Sequence, residues 1–360
     1  WADVIVFRRY YNTSIKCEAC GFVTHDAQSA AQHQGGGHAA RMQDFITRAM
    51  WPALAARTDK AIVYETDDLH LGLGVRPWNG YYAEVNLERD LIEQMLRRAD
   101  LVTVSTPQLK RSLALYNPRI RVIRNAIDPA LYETDVPRPE GDKTRLLYYG
   151  NTARMRDYVG ECRTCRQSLL ACRCGQFKRE GGFAGLAVSE LRDKLHTIFI
   201  GTSAGTEDVM AHFWDEQYGY MEDIPAFSRK MADVHPDIGI APLIGDAFDS
   251  HKSELHWLEY TMAGAATIAQ RWSGGPDAGP YNAIRDGVDG MLAKGRQEWY
   301  DALRKIIREP NLRADLAAAA RERVLREYHF EKRAEEWAAA FYYASDHRGI
   351  GANRPVMIAA

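Results

Sequence analysis

The chain of 360 residues has no uninterrupted apolar stretch of about eighteen residues, so no membrane-spanning helix is expected. Neither sign of charge dominates: 46 Lys and Arg stand against 48 Asp and Glu, a formal net charge of −2. No global basic field therefore draws the protein to nucleic acid or to an anionic membrane. No internal repeat of fixed period is present, and the six cysteines are confined to two short stretches. An initiator Met is also lacking. The chain opens on WADVIVF, which reads as a core strand, so the amino-terminal part of a first domain is expected to be absent from this sequence. What is present is 46% apolar and 26% charged residues, the balance of a soluble globular protein. The length allows two domains, each with its own core.

Apolar runs at 3–7, 60–65, 101–105 and 119–125 read as strands, separated by helical patterns at 40–56, 87–98 and 107–116. Such alternation predicts an α/β domain with a parallel sheet and crossover helices. Ser105 or Thr106 is placed to cap the helix that follows Pro107. Residues 131–143, polar and carrying two prolines, read as the interdomain linker. Further strands at 145–149, 196–200, 237–243 and 266–269 predict a second doubly wound domain. The expected organisation is a first Rossmann-like domain over 1–135 and a second over 143–330, then a terminal helix and loop tail over 331–360.

The stretch from His235 to Gln270 carries the densest chemical signal. DIGIAPL is a short apolar run closed by Pro and Gly, as in a parallel strand buried on both faces. Asp249 and Ser250 follow in a polar loop and are expected to cap a helix. If Lys252 and Glu259, seven residues apart, are both helical, they share one face. A helix beginning beyond the carboxyl end of a parallel strand points backbone N–H groups into the crevice and favours a phosphate. Lys252 would meet that phosphate, and Glu259 could accept hydrogen bonds from sugar hydroxyls. The plainer alternative leaves both on a solvated surface.

KSELHWLEYTMAGAATIAQ resembles the donor-binding segment of GT-B glycosyltransferases of the large retaining group, matching it at Lys252, Ser253, Glu259 and Gly264. The family usually has two glutamates with seven residues between them, and His251, eight positions before Glu259, stands where the first belongs, with Glu254 close by. The resemblance continues through NAIRDGVDGMLAKG and the helical carboxyl end, covering residues from about 144 to 343. It implies two Rossmann-like domains facing each other across a cleft, the second holding a nucleotide diphosphate sugar. Gly150, Asn151, Gly201, Asp249, Ser250, Ser253 and Glu254 are then donor-side residues. Arg154, preferred over Arg156, would bind diphosphate oxygens through its guanidinium fork. Lys252, Arg154 and Glu259 form the implied catalytic group. In the first domain, Glu65, Asp67, Asp68 and His70 resemble the family's acidic segment on the acceptor side; capping of the next helix is the alternative. Asn125 is implied to lie near the cleft.

Both cysteine clusters read as insertions, at 15–40 and 160–182. Cys17, Cys20, His33 and His38 have the spacing of a two-Cys, two-His zinc finger. Cys162, Cys165, Cys172 and Cys174 place four thiols within thirteen residues, enough for a four-sulfur zinc site, with disulfides or a redox pair as rivals. Neither set leaves an open coordination position, so two structural zinc ions are expected. The segment from Asp26 to His38 has no basic residue, which disfavours nucleic-acid reading and leaves loop stapling or a protein partner.

The function expected is retaining transfer of a sugar from a nucleotide diphosphate sugar to an acceptor hydroxyl on a glycan, protein or lipid. A cytoplasmic, reducing location is expected with it. The rival is a scaffold that has lost turnover and binds proteins through its zinc insertions, a reading that His251 favours.

Overall fold

The structure, a computed structural model, describes residues 4–8, 15–16, 23–24, 59–71, 89–151, 154–165, 172–175, 179–201, 213–245, 247–274 and 278–348. Two units emerge: Trp1–Ile123 with Glu335–Ala360, and Arg124–Ala334. The expected helix over 40–56 lies outside the described residues, as do Cys17, Cys20, His33 and His38. The short antiparallel pair Ile15–Lys16 and Val23–Thr24 flanks the first two of those cysteines in sequence. No helix among the described residues is long and apolar enough to cross a membrane.

The first unit contains a parallel sheet of β1 (Val4–Arg8), β2 (Ala61–Thr66), β3 (Leu101–Val104) and β4 (Ile120–Val122), in that spatial order. Helix α1 (Arg89–Arg98) buries Leu91, Ile92, Met95 and Leu96, the stripe a 3.6-residue period directs at a sheet. Its last carbonyls are met by Asn117, whose amide donates to Leu96 and Ala99 at 2.8 and 2.9 Å. Helix α2 (Pro107–Leu113) starts at Thr106, whose hydroxyl accepts from the Leu109 N–H, with Pro107 in the first turn.

The second unit is built on β5 (Thr144–Gly150), β6 (Leu195–Gly201), β7 (Glu216–Tyr218), β8 (Ile238–Ala241), β9 (Ala266–Gln270) and β10 (Met291–Ala293). All pair in parallel, and the spatial order is β7-β6-β5-β8-β9-β10. The chain winds outward from β5 in one direction, then returns to its other side at β8. That reversal is the Rossmann switch point, where a crevice opens beyond the carboxyl ends of the strands. Helices α3 (Met155–Val159), α4 (Phe183–Glu190), α5 (Ile224–Asp233), α6 (Leu255–Met262), α7 (Gly295–Arg308) and α8 (Pro310–Glu327) accompany the sheet. Two apolar clusters form its core, one around Trp257, Leu258 and Tyr260, the other around Tyr148, Phe199 and Trp299.

Strands β5 and β8 pair only at Leu146–Ile238 and Leu147–Gly239. Beyond that, the Tyr260 hydroxyl inserts between them, accepting from Tyr149 N–H at 3.3 Å and donating to the Ile240 carbonyl at 3.0 Å. Gly239 makes the insertion possible, because a Cβ there would sit 2.2 Å from the Tyr260 ring. The sheet is thus splayed at the switch point with its backbone groups still satisfied.

The last helix, α9 (Phe330–His347), runs through the boundary between the two units. Its Ala340 and Ala344 are buried with Ala61, Val63, Leu101 and Ile123 of the first unit. Arg121 donates to the Ala339 carbonyl at 3.0 Å and stacks on Tyr343, fastening this segment.

Candidate active site

A cavity of about 290 Å³ opens at the carboxyl ends of β5 and β6, lined by Tyr149, Gly150, Asn151, Arg154, Ile200, Gly201, Tyr220, Met221, Phe227 and His256. Gly201 ends β6 with a φ of 146°, and a Cβ there would lie 1.8 Å from the Gly150 carbonyl oxygen. Only glycine lets the two strand ends approach this closely. Gly150, Asn151, Gly201 and Arg154, named from sequence as donor-side or catalytic residues, are therefore brought together.

Arg154 sits at the N-cap position of α3, where the Tyr148 hydroxyl donates to its carbonyl at 2.7 Å. Its guanidinium meets two carboxylates, Asp157 at 3.0 Å and Asp249 at 3.3 Å. Burial works against the guanidinium charge, but the two carboxylates more than restore it. Asp157 is pushed up to about 7 by its burial and by the neighbouring Asp249, against the pull of Arg154. Both carboxylates also hold backbone: Asp157 accepts from Ile244 N–H at 3.1 Å and Asp249 from Gly245 N–H at 3.3 Å.

Asp249 and Ser250 do not cap a long helix. They belong to a 3₁₀ turn, Asp249–His251, in which the Ser250 hydroxyl donates to the Ala247 carbonyl at 2.8 Å. Lys252 is extended, with φ −67° and ψ 162°, and α6 begins only at Leu255. Lys252 and Glu259 therefore do not share a helical face. The Lys252 ammonium lies 4.2 Å from the centre of the Phe248 ring. Its charge and that of Arg154 nevertheless converge on His256, which burial and then these two cations hold well below the ordinary histidine range. His256 also lies 3.1 Å from the Tyr281 hydroxyl through Nδ1 and packs edge-on against Tyr149 at 4.3 Å.

Glu259 lies one turn further along α6, and its carboxylate accepts a hydrogen bond from the Tyr149 hydroxyl. Burial pushes Glu259 up to about 7, partly offset by that bond. Ser253 and Glu254 form a separate polar group. The Ser253 hydroxyl accepts from Asn125 at 2.7 Å, and the buried Glu254 carboxylate pairs with Arg124 at 2.8 Å. These two residues fasten the start of the second unit to the start of α6. Arg156 pairs with the buried Glu161 at 3.3 Å and does not line the cavity. His251 directs Nδ1 at the Ala247 carbonyl, 2.6 Å away.

In the first unit, Glu65 lies on β2, and Asp67, Asp68 and His70 follow its carboxyl end. Their segment is held by its backbone, Asp68 accepting from the Thr66 hydroxyl at 2.9 Å and Asp67 from Ser105 at 3.4 Å. Leu69 and Leu71 are buried on either side of His70. In the insertion of the second unit, the four sulfurs of Cys162, Cys165, Cys172 and Cys174 lie within 4.8 Å of one another.

Reading the sequence did not single out Tyr149, Asp157, His256 or Tyr281. The signals were weak: a tyrosine pair at a strand end, an acidic residue three after an arginine, and a histidine one turn before a glutamate. Asp157 meets Arg154 locally, three residues along, but Asp249 and the neighbours of Tyr149, His256 and Tyr281 come together only when the chain returns beyond the switch point.

Residues 201–339 match the family model described as glycosyl transferase-like. Among solved structures, sucrose-phosphate synthase from Thermosynechococcus elongatus is similar with a TM-score of 0.56 at 13% identity, covering 82% of this chain and 70% of that one. Anabaena HepE in complex with UDP and glucose is similar with a TM-score of 0.54 at 14% identity, covering 81% and 72%. TarM, known also from Staphylococcus aureus complexes, is similar with a TM-score of 0.54 at 14% identity, covering 81% of this chain. The chain spans only about half of TarM, 53% of its length. Sequence comparison with curated proteins gives no match. The fold is that of the GT-B glycosyltransferases, as the sequence resemblance implied.

Proposed function

We propose that the protein transfers a sugar from a nucleotide diphosphate sugar to an acceptor hydroxyl. The observation that carries this reading is the partly buried Arg154 on the wall of the cavity at the carboxyl ends of β5 and β6, with the charges of Arg154 and Lys252 both reaching His256 on that wall. Complexes of similar proteins with UDP-glucose and with UDP add support for the donor class. The diphosphate would lie against Arg154, Lys252 and the backbone N–H groups at the ends of β5 and β6, and Asn151 would line the same wall. Glu259 and Tyr149 would hold sugar or ribose hydroxyls. Asp249 and Ser250 shape the loop beneath, and Ser253 and Glu254 hold α6 in place.

In the proposed step the bond between the sugar's anomeric carbon and the diphosphate oxygen breaks. A new bond forms from that carbon to the acceptor oxygen. The acceptor's proton passes to the departing diphosphate, and the configuration is retained. Charge grows on the diphosphate as it leaves, so the two preorganised cations lower the barrier. Glu65, Asp67, Asp68 and His70 are the proposed acceptor-side residues. The hexosyl class of the sugar, a cytoplasmic setting that keeps thiols reduced, and a second zinc at Cys17, Cys20, His33 and His38 belong to the same proposal.

The test is release of nucleotide diphosphate from a donor panel with glycan acceptors. Arg154→Ala and Lys252→Ala are each expected to lower turnover by about a hundredfold or more, the scale for losing a preorganised charge contact. Full turnover in both variants would remove these residues from the site. Wild-type binding of donor without any transfer would favour the scaffold that has lost turnover, the reading to which His251 points.

A further inference from the structure

The insertion between α3 and α4 contains a group of side chains that sugar transfer does not use. Cys162 lies on a two-residue strand, Glu161–Cys162, paired antiparallel with Arg179–Glu180. Cys165 follows in the next turn, and Cys172 and Cys174 return to face them. The sulfurs of Cys162 and Cys174 are 3.7 Å apart, those of Cys165 and Cys172 3.6 Å, and those of Cys172 and Cys174 3.5 Å. A disulfide needs a separation of about 2.05 Å. Four thiolates at about 2.3 Å from one ion, by contrast, form a tetrahedron with edges of about 3.8 Å. The contacts run through all four sulfurs rather than dividing them into two pairs, and no separation exceeds 4.8 Å. That compactness fits one metal atom and not a cluster that spreads its sulfurs over several irons. Arg173 in the same loop donates to the Cys172 carbonyl at 3.0 Å, which brings one positive charge beside the thiols.

The base of this knuckle is joined to the cavity wall. The Gly160 N–H ends α3 by donating to the Arg156 carbonyl at 2.7 Å, and the Arg179 guanidinium donates to the Val159 carbonyl at 2.8 Å. Gly182, at φ 66°, closes the loop against Gly160 so tightly that a Cβ would lie 2.2 Å from the Gly160 nitrogen. Helix α3 has only five residues, far below the length at which a helix holds itself, so its position depends on these contacts. Arg154 and Asp157 are on it.

We propose that Cys162, Cys165, Cys172 and Cys174 bind one zinc ion as four thiolates, closing a knuckle that holds the short helix carrying Arg154 in place. The metal site stands on the sulfur geometry alone. Its effect on the cavity rests on the proposed donor site.

The experiment uses the full chain with Cys17→Ser and Cys20→Ser, so that the first cluster does not contribute. Elemental analysis is expected to find one zinc per chain. Exchange for cobalt is expected to give the intense thiolate-to-metal absorption of a four-sulfur site. Further replacement of Cys162 and Cys172 by Ser is expected to abolish both signals. Absence of metal, the presence of iron instead, or a cobalt spectrum of fewer thiolates would overturn the site. Removing zinc with a chelator is then expected to weaken nucleotide diphosphate binding about tenfold or more and readdition to restore it. Unchanged binding on removal would overturn the positioning role. Failure of the zinc-loaded protein to bind any nucleotide would count against the donor site and leave the metal site standing.

Discussion

Arg154 is neutralised in the resting protein by Asp157 and Asp249, and a diphosphate must share it with them. Asp157 is already pushed up to about 7, and two incoming phosphate charges push it higher. Donor binding should therefore take up a proton and weaken as pH rises through about 7. Calorimetry in buffers of different ionisation enthalpy measures that uptake, and a pH-independent affinity with no proton exchange would contradict it. Glu259 gives a second test. Its folded value of about 7 exceeds the ordinary 4.5, so the stability it contributes is complete below 4.5 and lost as pH rises through 7. Glu259→Gln, neutral throughout, should gain on the wild type in denaturant melts between about pH 5 and about pH 8. An equal difference at both ends of that range would contradict the assignment.

The splayed switch point depends on α6 and β8 acting together. Tyr260→Phe removes the hydroxyl that serves Tyr149 N–H and the Ile240 carbonyl, and should cost about 1–3 kcal/mol in unfolding free energy for groups left without partners. Gly239→Ala drives a methyl into the Tyr260 ring and should be worse than that. The turn before β10 offers a comparable test. Asp289 is fully buried and pairs with Arg323 at 2.9 Å and Arg285 at 2.6 Å, while its carbonyl accepts from the Trp257 indole at 2.9 Å. Asp289→Ala should cost about 1–3 kcal/mol in a denaturant melt, because Arg285 N–H and the Arg323 guanidinium lose an acceptor while Glu327 still pairs with Arg323 at 3.0 Å.

The main strands were readable in the sequence, because buried parallel strands are continuous apolar runs. The expected runs at 145–149, 196–200 and 266–269 fall within β5, β6 and β9. Strand β7, with sequence EQY, escaped notice because an edge strand of three partly exposed residues carries no such run. The start of α6 was misread for a different reason. Asp249 and Ser250 have the chemistry of caps, yet Arg154, 95 residues distant in the chain, claims the Asp249 carboxylate. Local sequence carries no trace of that competition.

At the scale of the whole molecule, two Rossmann-like units are joined in sequence by residues 123–124 and again within α9. The second unit holds the cavity, the paired carboxylates and the four-cysteine knuckle, as well as most of the stretch that matches glycosyl transferases. The acidic segment of the first unit was recognisable from its residue types at a strand end. The acceptor role proposed for it rests on resemblance, since carboxylates do not encode the molecule they bind.

The most direct measurement is a thermal-shift panel of uridine, guanosine and other nucleotide diphosphate sugars, run on the wild type and on Arg154→Ala. A rise of several degrees in melting temperature is expected with one donor, since saturation at about a hundred times Kd adds about 2.7 kcal/mol. That rise should be lost in the variant. No shift with any nucleotide sugar, or an equal shift in the variant, would rule out Arg154 as part of a donor site.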